Sequence, residues 1–182
     1  MNILETIING GVILYPTDTV WGIGGDATNP KVIKKIDKIK KRDAGKSYLI
    51  LVNDYKMLQN YVEEIPLQVW EILEKAIRPT TVIFPNPKNL PVELLAEDGS
   101  IAIRVVKKGF AQDLIKSIGK PLISTSANLT GSPTPLKFSD IDERILQNVD
   151  YVVNLHRNTS STDKPSRIIK WSEENGVEII RD

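Results

Sequence analysis

The sequence predicts a mixed α/β fold, and three observations carry it. Short apolar runs alternate with longer segments whose apolar residues recur at helical spacing. Two of those runs, Val12–Tyr15 and Leu122-Ile123, stop abruptly in a burst of hydroxyl-bearing residues. No linker rich in Gly, Ser or Pro, no internal repeat and no low-complexity tract divides the 182 residues, which are read as one domain spanning 1–182.

The elements follow in order. Residues 3–9 read as a short helix ended by Gly10-Gly11, and Val12–Tyr15 as a buried strand. Asn29 is a good N-cap with Pro30 at the first helical position, and Val32, Ile33, Ile36 and Ile39 then mark an amphipathic helix. Tyr48–Val52 is strand-like, while 54–61 and 67–77 read as helices. Thr80–Phe84 is a β-branched strand closed by Pro85-Asn86-Pro87, and Ile101–Val106 is another strand. Phe110–Ile118 is an amphipathic helix ended by Gly119. Ser139 or Asp140 is expected to cap a helix running to about Asn148. Tyr151–Val153, Ile168-Ile169 and Val177–Ile180 close the chain as strands, with a polar loop over 154–165.

Composition narrows the chemistry. The absence of cysteine removes disulfide scaffolds and thiolate metal sites. The N-terminus lacks the basic head and apolar run of a signal peptide, and no apolar stretch approaches the roughly 20 residues that span a bilayer. A cytoplasmic protein with no membrane partner is expected. The net charge of +1 hides an asymmetry: Lys31, Lys34, Lys35, Lys38, Lys40, Lys41, Arg42 and Lys46 face only Asp37 and Asp43. The plain reading of such a run is a solvated helix face. It also attracts phosphates locally.

Several motifs are set aside on physical grounds. Gly22-Ile23-Gly24-Gly25-Asp26-Ala27 matches a dinucleotide pattern, but Pro-Thr-Asp-Thr-Val-Trp separates it from its strand and basic residues stand where the acidic ribose partner belongs. No P-loop motif occurs. Ser124-Thr125-Ser126-Ala127-Asn128 lacks a general base for a serine nucleophile, since His156, the chain's lone histidine, sits in a polar loop. That segment reads either as a helix N-cap cluster or as an anion site at a strand end opening onto a helix. No metal is expected on protein ligands; Asp18 and Asp26 are the acids nearest the cleft that the first polar burst is expected to line. Magnesium would arrive carried with a nucleotide.

Pro16-Thr17-Asp18-Thr19-Val20-Trp21-Gly22, then Lys40-x-Arg42, then Ser126-x-Asn128 with Gly131-x-Pro133, resemble the YrdC-like threonylcarbamoyl-AMP synthases over nearly the whole chain, in the short form of that family. The resemblance implies a twisted open mixed sheet flanked by helices, with a large concave basic cleft. It implies that L-threonine, bicarbonate and ATP become threonylcarbamoyl-AMP and pyrophosphate. Other tRNA-modification proteins then use the adenylate to build N6-threonylcarbamoyladenosine.

The resemblance also implies roles. Lys40, Arg42, Ser126 and Asn128 match the signature tetrad, with the two cations on phosphates and carbamate and the other pair donating to the nucleotide. Thr19, Arg104, Ser124 and Ser166 match threonine contacts, Arg104 holding the carboxylate. Arg42, Lys46, Ser100, Ser126, Thr134 and Arg181 fall where the family contacts ATP. Five departures bear on the cleft wall and threonine pocket. Trp21 replaces Tyr, and Ile77-Arg78-Pro79 replaces Pro-Gly-Pro. Lys46-Ser47-Tyr48 replaces Lys-Pro-Leu, the histidine that some members carry near the position of Leu51 is absent, and Ser166-Arg167 replaces a Ser-Thr pair. Two other readings remain: a non-enzymatic binder of tRNA or double-stranded RNA, and a divergent paralogue acting on another amine or carbamoyl compound.

Overall fold

A computed structural model of the chain describes residues 2–42, 48–155 and 165–182. Among these, the strands are β1 (Ile13–Pro16), β2 (Trp21–Gly24), β3 (Leu49–Val52), β4 (Thr80–Phe84), β5 (Ile101–Val105), β6 (Leu122–Ser126), β7 (Tyr151–Val152), β8 (Arg167–Ser172) and β9 (Gly176–Arg181). The helices are α1 (Ile3–Ile8), α2 (Pro30–Lys40), α3 (Tyr55–Leu58), α4 (Leu67–Lys75), α5 (Phe110–Ile118) and α6 (Glu143–Leu146). The strands form one mixed sheet in the order β7-β1-β2-β6-β3-β5-β4-β8-β9.

Side chains alternate across a strand, so the register sorts residues onto two faces. One face carries Leu14, Ile23, Ile50, Ile103, Val82 and Ile169, packed with Val32, Ile33 and Ile36 of α2 and Val69 and Leu73 of α4 in the larger core. The other carries Ile13, Tyr15, Leu51 and Leu122, covered by Ile7 of α1 and by Ala111, Leu114 and Ile115 of α5. Those two helices cover only part of that face. The pairings Tyr15↔Gly22, Gly22↔Ser126, Leu49↔Ser124, Leu51↔Arg104 and Thr81↔Arg104 carry the same face onward into polar residues. The cleft lies there.

Asn29 caps α2 as expected, its side chain accepting from the Lys31 N–H at 3.0 Å. β2 escapes the sequence reading because two of its four residues are glycine, a poor strand former. Tertiary packing demands one of them: a Cβ on Gly24 would stand 1.9 Å from the Ile123 carbonyl oxygen. β6 runs through Ser126, so no helix begins in the Ser-Thr-Ser segment, and both the N-cap and the helix-start readings of it are corrected. The helix expected over 139–148 shrinks to α6. Asp140 instead accepts from the Lys137 N–H at 3.1 Å in a 3-10 turn, and Asp142 caps α6. Neighbouring aspartates capture two separate turns where one long helix was expected. α3 is likewise a single turn, and α4 ends at Lys75. β8 outgrows its apolar pair because β4 and β9 bond it on both sides. No helix among the described residues is long and apolar enough to cross a membrane.

Candidate active site

The cleft, about 370 Å³, is lined by Thr19 from the β1–β2 turn, Arg104 from β5, Ser124 and Ser126 from β6, and Thr134, Ser166 and Arg181 from later segments. Seven residues singled out in the sequence thus converge from across the chain. Gly22 forms its floor, where a Cβ would meet the Thr17 methyl at 3.0 Å and the Ser124 hydroxyl at 3.5 Å.

The turn that presents Thr19 is built by Thr17. Its hydroxyl donates to the Val20 carbonyl at 2.6 Å, accepts from the Thr19 and Val20 N–H groups, and lies 3.1 Å from the Thr19 hydroxyl. Thr17 belongs to the Pro-Thr-Asp-Thr motif, where a threonine hydroxyl two or three residues before an N–H is the local signal of such a turn.

Arg104 is the central cation. Its side chain is 3% exposed, and one Nη forms an ion pair with the Asp18 carboxylate at 2.9 Å. Its Nε is buried with no hydrogen-bond partner among the described residues. A buried donor left so costs about 1–3 kcal/mol, a cost that an anion in the cleft would relieve. Beneath it Tyr15 donates to the Ile123 carbonyl at 3.2 Å, and burial pushes its phenol up to about 12 despite the neighbouring Ser124 and Arg104. Tyr15 therefore stays neutral, a core residue under the site rather than a base.

On the far side, Thr81 and Ser166 share a hydrogen bond of 3.0 Å, and Arg181 donates to the Ser166 carbonyl through Nη2 at 2.8 Å and Nε at 3.1 Å. β9 thereby fixes the approach of Ser166 to the cleft.

The tetrad residues divide. Ser126 lines the cleft, while Lys40, Arg42 and Asn128 stand beside it. Lys40 is 4% exposed, and its ammonium donates to the main-chain carbonyls of Ser126 at 2.5 Å and Asn128 at 2.6 Å. Burial, then the adjacent Arg42, lowers its pKa to about 8. Asn128 bonds the Ser126 hydroxyl and donates to the Ser132 carbonyl at 2.5 Å. Lys41 takes a left-handed conformation with φ 50, which turns the chain out of α2 and sets the Arg42 guanidinium 4.3 Å from the centre of the Tyr48 ring.

Ser100 stands outside the lining, its hydroxyl donating to Asp98 at 2.5 Å. Asp26 is also turned away, bonding Thr28 and the Lys120 ammonium at 2.6 Å. Lys46, His156 and most of the 154–165 loop lie outside the described residues. No cluster of three or more metal-ligating side chains occurs among those described.

The Sua5_yciO_yrdC family model, described as "Telomere recombination", matches residues 5–182. A threonylcarbamoyl-AMP synthase of Vibrio campbellii is 33% identical over 169 residues, covering 91% of this chain and 90% of that protein. P. abyssi Sua5 complexed with L-threonine superposes with a TM-score of 0.84 at 23% identity, covering 94% of this chain and 50% of that one. The present chain thus spans about half the length of that Sua5, and the likeness is one of fold. E. coli YciO superposes with a TM-score of 0.82 at 25% identity, covering 98% of this chain and 86% of that one. With the family model spanning nearly every residue and a relative this similar along its length, the chain belongs to the Sua5/YciO/YrdC family.

Proposed function

We propose that this chain is an L-threonylcarbamoyladenylate synthase, converting L-threonine, bicarbonate and ATP to threonylcarbamoyl-AMP and pyrophosphate. The observation that carries the reading is Arg104: a guanidinium 3% exposed, with an unpartnered Nε, facing a cleft of about 370 Å³ ringed by hydroxyls. A small amino acid with a hydroxyl side chain matches that donor set. The Vibrio campbellii relative bears the name of this activity.

The chemistry has two stages. The threonine amine attacks the carbon of bicarbonate and water leaves, giving N-carboxythreonine. A carbamate oxygen then attacks the α-phosphorus of ATP, and pyrophosphate departs. Attacker and target are both anions, so catalysis is mainly positioning and charge screening. Arg104 would hold the threonine carboxylate, with Thr19, Ser124 and Ser166 about the rest of the molecule. Ser126, Thr134 and Arg181 would face the nucleotide, with Arg42 on its phosphates and Lys46 assigned there by the resemblance alone. Ser100 would have to leave Asp98 to join them. Lys40 would serve by holding the Ser126–Asn128 turn. Magnesium would enter with the ATP. The labile product would pass to tRNA-modification proteins, in the cytoplasm where these substrates meet.

Pyrophosphate release measured with threonine, serine, glycine and no amino acid, each with and without bicarbonate, tests the reading. Release that needs both threonine and bicarbonate is expected; none with any amino acid from folded protein overturns it. A second reading, a paralogue using another amine, has one observation in its favour. Leu51 pairs with Arg104 in the sheet and gives the clamp an apolar neighbour. Release with a different amine would establish it. Salt-sensitive RNA affinity without pyrophosphate release would instead mark a binding protein.

A further inference from the structure

Arg104 and Asp18 belong to different spaces. Arg104 lines the hydroxyl-ringed cleft, whereas Asp18 lines a neighbouring cavity of about 390 Å³ with Leu73, Arg78, Lys107 and Lys108. The ion pair of 2.9 Å between them forms the partition. Asp18 stands 2.9 Å from one Nη as an ion pair, while the Nε is buried without a hydrogen-bond partner among the described residues. An arginine grips a carboxylate well only when its planar fork is held in one orientation. The bend that aims Asp18 is itself locked by the four contacts of the Thr17 hydroxyl.

We infer that Asp18 is a positioning residue for amino-acid recognition: its ion pair fixes the Arg104 guanidinium from the neighbouring cavity so that the unpartnered Nε–H is held for the substrate carboxylate. The inference rests on the proposed threonine site. It separates two jobs within the Pro-Thr-Asp-Thr turn. Thr19 faces the ligand, and Asp18 acts only through Arg104. Because the cavity behind Asp18 carries three cationic side chains, a small carboxylate from solvent has a route to the place that Asp18 vacates.

The experiment measures L-threonine binding by calorimetry in the absence of ATP and bicarbonate, with ATP binding measured alongside. Asp18→Asn keeps the shape and removes the charge. It should weaken threonine roughly tenfold or more while leaving ATP affinity unchanged, as loss of an orienting partner does elsewhere. Asp18→Glu should recover most of the affinity. In Asp18→Ala, excess sodium formate should restore threonine binding, an effect that a merely structural role would not produce. Wild-type threonine affinity in Asp18→Asn would overturn the inference, as would equal losses for threonine and ATP or formate acting only as a competitor. A wild-type protein that binds threonine yet releases no pyrophosphate would sink the synthase reading alone. One that binds no threonine would sink both.

Discussion

The ammonium of Lys40 donates to the main-chain carbonyl of Asn128 at 2.6 Å, tying the last turn of α2 to the segment after β6. The Thr130 N–H returns a bond to the Lys40 carbonyl at 2.9 Å. A cation that the family resemblance puts on phosphates and carbamate here holds the backbone from which Ser126 and Asn128 project.

Lys40→Met should therefore destabilise the fold by about 1 kcal/mol or more, because two partly buried carbonyls lose their donor. It should also lower turnover more than ATP affinity. Urea denaturation and pyrophosphate release check the two effects.

The same residue sets a pH dependence. Its folded pKa, lowered to about 8 by burial and then Arg42, lies below the ordinary lysine value of 10.5. Between those values the unfolded chain binds a proton that the folded chain has shed, so stability rises with pH across that window. Below pH 8 the burial cost is present in full. Urea midpoints from pH 7 to 10 should climb for the wild type relative to Lys40→Met; parallel curves would refute this.

Arg104→Lys keeps the charge but loses the planar fork. Threonine affinity should fall roughly 10- to 100-fold, the equivalent of about 1.5–3 kcal/mol for hydrogen bonds to a charged group. ATP affinity should hold. Calorimetry with each ligand separates the two.

Gly22→Ala and Gly24→Ala should differ in kind. At Gly24 the added carbon would overlap the Ile123 carbonyl at 1.9 Å, so a loss of roughly 3 kcal/mol or more is expected. At Gly22 the nearest atom is a Thr17 methyl at 3.0 Å, on the cleft floor. There the fold should survive at a cost of about 1 kcal/mol while threonine binding weakens several-fold. Thermal unfolding and threonine titration distinguish them.

Ser100→Ala and Arg181→Ala test the nucleotide side. Ser100 bonds Asp98, whose carboxyl the Ser100 and Lys170 contacts hold down at about 2. Ser100→Ala should shift stability by about 1 kcal/mol or less with ATP affinity unchanged. Arg181→Ala frees the Ser166 carbonyl and should weaken threonine and ATP together. A large ATP effect from Ser100→Ala would place it back at the nucleotide.

Much of this protein was legible in the string of residues. Helical spacing in Val32, Ile33, Ile36 and Ile39, the Asn29-Pro30 start, and the β-branched run Thr80–Phe84 each specify an element through local physics, and the structure reproduces them. The polar bursts after Val12–Tyr15 and Leu122-Ile123 marked the cleft, because hydroxyls at the end of a buried strand need partners. Local rules could not find β2, whose glycines weaken strand propensity and are required only by the close approach of Ile123. Nor could they assign Lys40, because the acceptors of its ammonium lie 86 and 88 residues away in sequence. The partition made by Asp18 and Arg104 likewise exists only once β5 meets the β1–β2 turn. Spacing and capping act over a few residues and are written in order along the chain. Burial, ion pairing and the shape of a cleft depend on which distant segments meet, and the strand order of the sheet decides that.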